Sequence, residues 1–511
     1  MAVSATWAHT VRHGGTAVST TESGAPPQET AAAPPIRTGP VIALLVVAAF
    51  VVILNETIMG VALPALMTDL NITAISAQWL TTGFMLTMAV VIPTTGLLLQ
   101  RLSVRTVFFT AMGLFALGTA IAAVAPGFGI LLVGRIVQAS GTAVMIPLLF
   151  TTVMTVVAPE RRGRMTGVIT IVISVAPAIG PTISGLVLAS LPWRWMFIIV
   201  LPIALIVLAL GAFWVRNVTE TRSVSFDLAS IVLSALGFGA LIYGLAGIGE
   251  AAEGQAPVPV WIPLVVGVVS LVAFVLRQIA LRETPRVLLD LRAFRSPAFS
   301  LAVVMVVVSF TALFGTLILL PIYLQSVLGL SVLDAGLALL PGGALMGILA
   351  PLVGGLFDKF GPRPLVLPGA VVASGALWWM TTLDASSPLW LIILMHLTLT
   401  AGLGFMFTPL MTSALGSLPV HLYSHGSAIV TTLQQVAGAA GTALFVTLMS
   451  VGSEHAASTG EAPVPALAHG VHIAFLVGAA ISLVAVLLAV FVRRAPEGSQ
   501  QPAPDAAPAA H

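Results

Sequence analysis

Few residues in this chain can do chemistry, and the ones that can stand inside long apolar runs. Glu56, Arg135, Asp334 and His396 are the candidates among the ionisable groups placed there. An ionisable side chain within a bilayer costs roughly 2.5–3.5 kcal/mol on insertion scales, so it persists mainly where it pairs or lines a cavity. A carboxyl group out of water is easiest to hold neutral, and a cation beside it stabilises the carboxylate. Glu56 is therefore the candidate proton carrier, with Arg135 its candidate partner. The competing reading is a static ion pair that holds two spans together. Asp334, just after Ser331, reads either as a second proton site or as an ordinary acidic residue at a helix start. His396 suits a hydrogen-bonded packing role better than a proton relay.

Neutral polar groups come next. Asn55, Gln138, Gln434 and Gln435 are candidates to line a substrate cavity, and interhelical hydrogen bonding explains them equally well. Gly180, Pro181 and Gly185 combine close backbone approach with one lost helix hydrogen bond, which reads as a hinge or seal. The 17 Met, 23 Phe and 9 Trp can furnish a soft cavity for several hydrophobic ligands. The sequence has no Walker A loop, no His-Glu-x-x-His and no Gly-x-Ser-x-Gly. Zero cysteines exclude disulfides and thiolate metal sites. No cofactor is expected, and the energy source is expected to be a proton gradient.

These groups need helices to hold them. Of 511 residues, 58% are hydrophobic and 7% charged, too little polar surface for a soluble fold, so the solvent is lipid. No basic patch with interleaved aromatics suggests nucleic acid. A spanning helix takes ~20 apolar residues. Such runs lie near 41–66, 77–99, 106–124, 128–157, 164–189, 195–215, 227–248, 260–280, 299–325, 333–357, 365–382, 389–414, 425–450 and 470–492. The fold class expected is an all-α membrane protein with 14 spans. With both termini cytoplasmic, 18 of the 20 basic residues fall in inner loops; Arg194 lies outside and Arg135 within the fourth span, as the positive-inside rule requires. The setting expected is the inner (plasma) membrane. At 1.5 Å per residue, Glu56 lies ~22 Å from the inner end of span 1 and Arg135 ~10 Å from the outer end of span 4, in a ~30 Å core. Their depths agree.

The chain also looks duplicated. Gly96-Leu-Leu-Leu-Gln100-Arg101-Leu-Ser103-Val-Arg105 after span 2 and Gly354-Gly-Leu-Phe-Asp358-Lys359-Phe-Gly361-Pro-Arg363 after span 10 coincide at the Gly, the first basic residue and the last Arg when shifted by 258 residues. The expected organisation is a disordered tail (1–40), a six-helix bundle (41–218), two inserted helices with a linker (219–298), a second six-helix bundle (299–494) and a disordered tail (495–511).

The second loop resembles the inner-loop signature of the major facilitator superfamily. Arg135-x-x-Gln138-x-x-Gly141, Gly180-Pro181-x-x-x-Gly185 and Trp193-Arg194-Trp195-Met-Phe197 follow in that family's order. Together with Leu54-Asn55-Glu56-Thr57-Ile58, they resemble the 14-span drug:proton antiporter branch and its lincomycin-resistance-type subgroup. The resemblance covers essentially residues 40–494. Asn55 stands where the branch usually has Asp, which displaces the acid to Glu56, about 100° around the helix. Gln100 and Ser103 replace an Asp and a Gly in the first loop. The resemblance implies proton-coupled efflux of lipophilic, including cationic, drugs by rocking of two halves, with Asp358, Lys359, Gly361, Arg363 and Arg101 at the gate. It also implies small lipophilic substrates, protons and membrane lipids as partners, and a monomer. A dedicated exporter of one metabolite stays open as the alternative, and a sensor or intramembrane enzyme is remote.

Overall fold

The computed structural model describes residues 38–72, 74–215, 217, 225, 227–252, 258–284 and 286–493. Among them the chain forms fourteen α-helices and no strands: α1 (Thr38–Leu70), α2 (Ala74–Arg101), α3 (Val104–Ala123), α4 (Phe128–Val156), α5 (Arg162–Ser190), α6 (Trp195–Trp214), α7 (Leu228–Ala252), α8 (Trp261–Leu281), α9 (Pro297–Ser326), α10 (Val332–Phe360), α11 (Arg363–Met380), α12 (Leu389–Gly416), α13 (Tyr423–Ser458) and α14 (Pro463–Ala489). Each predicted run holds a helix. Thirteen are long and apolar enough to cross a membrane. The shortest, α11, is 18 residues that include Arg363 and two Trp. Most of the tails expected at 1–40 and 495–511 lies outside the described residues, although α1 already begins at Thr38.

Several helices outrun their apolar segments because capping, rather than hydropathy, decides where they start and stop. Ser103, Ser296 and Ser331 accept from the backbone N–H three residues on, opening α3, α9 and α10, and each satisfies a donor the helix would leave orphaned. Pro297 and Pro463 occupy the first turns of α9 and α14, where a missing N–H costs nothing. Gly361 ends α10 at φ 77°, a left-handed conformation that glycine adopts without strain. Large apolar side chains such as Leu186, Phe213 and Leu487 are exposed, which fits helices whose outer faces meet acyl chains.

The packing that matters for function lies along two seams. At one, α5 runs antiparallel against α10; at the other, α2 packs on α13. The inserted α7 and α8 pack on each other, and α7 also covers α2 and α13, with Trp79 of α2 stacked on Tyr243 of α7, centroids 5.8 Å apart. Below them Asp227 takes both arms of Arg277 (2.6 and 2.7 Å). Gln278 accepts from the Leu288 and Leu289 N–H groups and donates to Ser230, which fixes the chain between α8 and α9.

Candidate functional site

Arg135 is 1% exposed, and among the described residues every group that accepts a hydrogen bond from it is neutral. Its Nη1 donates to Asn55 Oδ1 at 3.1 Å and to Gln138 Oε1 at 2.6 Å. Its Nε points to the Leu80 carbonyl at 3.5 Å, and its guanidinium lies 4.0 Å from the Phe84 ring centroid. Gln138 passes its amide on to Thr119 Oγ1 at 2.7 Å, and Thr119 donates to the Phe115 carbonyl at 2.6 Å. Four helices, α1 to α4, thus converge on one buried cation. Such a cation is costly without a compensating anion. Asn55 keeps one further imbalance, because its Nδ2 is buried with no acceptor.

Glu56 is half-buried, and among the described residues its carboxyl group has neither a hydrogen bond nor an ion pair within 4.0 Å. The depth argument brings it near Arg135, but the static ion pair is not formed. The reason is angular: one step along α1 turns a side chain by ~100°, so Asn55 faces the guanidinium and Glu56 points to one side of it. The anion that could neutralise Arg135 is therefore adjacent yet unengaged.

The remaining sequence candidates separate clearly. Asn55 and Gln138 are fully buried and serve Arg135 instead of lining open space. Asp334 is exposed, with its backbone N–H on Ser331 Oγ at 3.1 Å and its Oδ2 accepting from that hydroxyl at 2.7 Å, the contacts of an acidic residue in a helix's first turn. His396 of α12 is buried against Gly342 of α10, with its Nδ1 unpartnered. Gln434 points to Met411 Sδ at 3.7 Å and half-buried Gln435 to Met88 Sδ at 3.9 Å. Gly180 is buried against Thr57 of α1, where a Cβ would collide with the Thr57 hydroxyl, whereas Gly185 has nothing within 4 Å of where its Cβ would be. Phe84, Leu80 and Thr119 escaped the sequence reading. Arg135 and Gln138 were legible as a motif, but an aromatic face or a backbone carbonyl supplied by α2 leaves no pattern of its own.

At the end of the helices that carries the two related loops, hydrogen bonds cross between α1–α6 and α9–α14. Asp358 accepts from the Gly163 and Arg164 N–H groups at 2.8 and 3.0 Å, a carboxylate seated on the N-terminus of α5. Gln100 reaches the His421 carbonyl (3.3 Å) and Ser424 Oγ (3.4 Å). Arg162 donates to Tyr423 OH at 3.0 Å, Thr151 meets Ser427 at 2.9 Å and Thr408 donates to Thr170 at 3.0 Å. Lys359, Arg363 and Arg101 are exposed. At the opposite end, Trp193 and Arg194 reach Asp69 at 2.8 and 3.1 Å, and Tyr323 donates to the Asp384 carbonyl.

Residues 45–442 match the Major Facilitator Superfamily. The chain belongs to that family. It is 42% identical over 473 residues to the lincomycin resistance protein LmrB of Listeria monocytogenes, which covers 92% of this chain and 99% of the relative. To the multidrug resistance protein B homolog of Mycobacterium tuberculosis it is 31% identical over 422 residues, 82% of this chain and 77% of that one. The fold also matches the human organic anion transporter MFSD10 (TETRAN) at a TM-score of 0.64 and 14% identity, over 89% of this chain and 100% of that chain. This is a multi-pass membrane transporter and not an enzyme.

Proposed function

We propose that this transporter exports small lipophilic compounds, cationic ones among them, in exchange for protons. It does so in the cell membrane with both termini in the cytoplasm, by alternating access between two six-helix halves, 41–218 and 299–494. The relatives named for lincomycin and multidrug resistance support drugs as the cargo, and the crowding of Arg and Lys into one set of loops supports the orientation. In that orientation the loop end is cytoplasmic, so the hydrogen bonds that cross it describe a state sealed inside and open outside.

The observation that carries the reading is the Glu56 carboxyl beside a buried Arg135 whose hydrogen-bond acceptors, among the described residues, are all neutral. Protonated Glu56 leaves Arg135 on Asn55 and Gln138. Ionised Glu56 attracts the guanidinium, and a pair closing to 4 Å gains ~4 kcal/mol at an effective dielectric of 20, enough to move a two-state equilibrium about a thousandfold. A cationic substrate competes for the same carboxylate, which is the coupling antiport requires.

The test is efflux of ethidium from cells expressing the protein, with and without a protonophore, alongside resistance to a panel that includes lincomycin. Export of several panel compounds, abolished by the protonophore, is expected. Export that survives collapse of the proton gradient contradicts the proposal.

A further inference from the structure

The turn between α11 and α12 and the first turns of α14 enclose an open pocket of ≈ 550 Å³, at the end of the helices opposite the two related loops. Neither Arg135 nor Glu56 lines it. Two imidazoles do, from one helix: His469 and His472 stand three residues apart on α14, the spacing that puts side chains on the same helix face. Their ring centres are 6.3 Å apart. Asp384 and Glu461 line the same pocket, with no Lys or Arg among its lining residues, so the local field draws in cations.

One of the two rings is already oriented for a metal ion. His472 Nδ1 lies 2.6 Å from the Thr381 carbonyl oxygen. A carbonyl oxygen only accepts, so Nδ1 carries the hydrogen and Nε2 of the neutral ring keeps its lone pair. A backbone carbonyl on one ring nitrogen is the arrangement that fixes the tautomer of a metal-binding histidine and raises the basicity of the other nitrogen. Each metal–imidazole bond is about 2.0–2.1 Å, which puts the centres of two rings on one ion roughly 5 Å apart at a tetrahedral angle and roughly 6.4 Å apart in a linear arrangement. The observed separation falls at the upper end of that interval, and exposed His469 has room to turn and shorten it. Among the described residues no group of three or more His, Asp or Glu side chains is arranged around a metal position, so water supplies the other ligands.

We propose that His469 and His472 form a binding site for one divalent transition-metal ion of the Zn²⁺ class, with Asp384 and Glu461 attracting the ion through the field of the pocket without ligating it. Imidazole nitrogen suits Zn²⁺, Cu²⁺ and Ni²⁺, whereas Ca²⁺ and Mg²⁺ take oxygen ligands, so the nitrogen pair sets the selectivity and the carboxylates do not. Two protein ligands and a hydrated remainder make an exchangeable site rather than a structural one. The inference needs neither proton coupling nor a drug substrate.

The test is a calorimetric titration of the full chain with Zn²⁺, the protein being purified in detergent by a tag without histidine. Saturable binding of one ion is expected, undisturbed by excess Ca²⁺, and His469→Gln and His472→Gln are each expected to weaken it by about tenfold or more. No saturable binding in the parent overturns the proposal, as does displacement by Ca²⁺ or an affinity that both variants leave unchanged. Should the variants fail to accumulate, the parent decides alone. Diethyl pyrocarbonate acylates unliganded imidazoles, and mass spectrometry of the peptides reads each one. Zn²⁺ is expected to slow modification of His469 and His472 by several-fold while exposed His455 reacts as before; equal modification of the pair with and without Zn²⁺ overturns the site. Neither readout involves transport, so a protein that binds Zn²⁺ at this pair but exports no ethidium refutes the efflux reading and leaves the metal site standing.

Discussion

At the scale of single residues, the site turns on which of two neighbours on α1 faces the cation. Asn55 accepts from Arg135, and Glu56 makes no hydrogen bond to it among the described residues. Replacing Arg135 with Met removes the donor from Asn55 Oδ1 and Gln138 Oε1, both buried. An orphaned buried acceptor costs about 1–3 kcal/mol, so thermal unfolding in detergent is expected to shift downward and proton-coupled export to vanish. Phe84→Leu keeps the apolar volume but removes the ring under the guanidinium, a contact of about 2 kcal/mol when desolvated. It is expected to lower export rate with a smaller loss of stability, read by ethidium kinetics and unfolding side by side. The sequence made Glu56, Arg135 and Gln138 legible because charge and amide groups inside apolar runs are rare. It left the pairing unread, since which of Asn55 and Glu56 meets Arg135 depends on the rotation of α1, and an evenly apolar helix carries no signal of rotation.

At the scale of helices and the chain between them, two polar ties are open to test. Asp358 sits on two N–H groups at the start of α5. Asp358→Asn keeps the shape and halves the acceptors, and is expected to weaken the inner seal by about 1–3 kcal/mol. Faster labelling of a cysteine placed on the loop-end half of α5 measures it, and unchanged labelling contradicts it. The second tie is Asp227 at the base of α7. The hydrogen bond from Arg277 holds this carboxyl well below the usual carboxylate range, helped by Ser230 and against the opposing effect of burial. Because its folded value is depressed, its contribution is complete above the ordinary unfolded value of ~3.9 and fades as pH falls toward the folded one. Asp227→Asn is therefore expected to lower unfolding temperature at neutral pH and to lose that difference in strong acid. Helix positions were legible from hydropathy to within a few residues, because length and apolarity are properties of each run alone. The ends drifted where a Ser cap or a first-turn Pro took over, as at α14, which starts at Pro463 rather than 470.

At the scale of the whole molecule, the duplicated loops were legible as a repeat, and the unlike chemistry of their two ties was foreshadowed by Gln100 standing where the second loop has Asp358. Asp358 accepts from backbone N–H groups, whereas Gln100 donates to a carbonyl and a hydroxyl. A neutral donor is a weaker tie than a carboxylate at a helix N-terminus, so the α2–α13 seam is the one expected to part first, with α7 lying over it. What no sequence pattern carries is the conformational state. Which end is closed depends on contacts between residues some 200 to 300 positions apart, such as Thr170 with Thr408 and Thr151 with Ser427. The account as a whole stands on a carboxyl group that changes protonation as the two faces open in turn. The most direct measurement is ethidium transport into acid-loaded or pH-matched proteoliposomes containing the parent protein or Glu56→Gln. The account predicts uptake that follows the imposed pH difference in the parent and at least a tenfold loss of that dependence in the variant; a variant that still transports at the parent's pH-driven rate contradicts it.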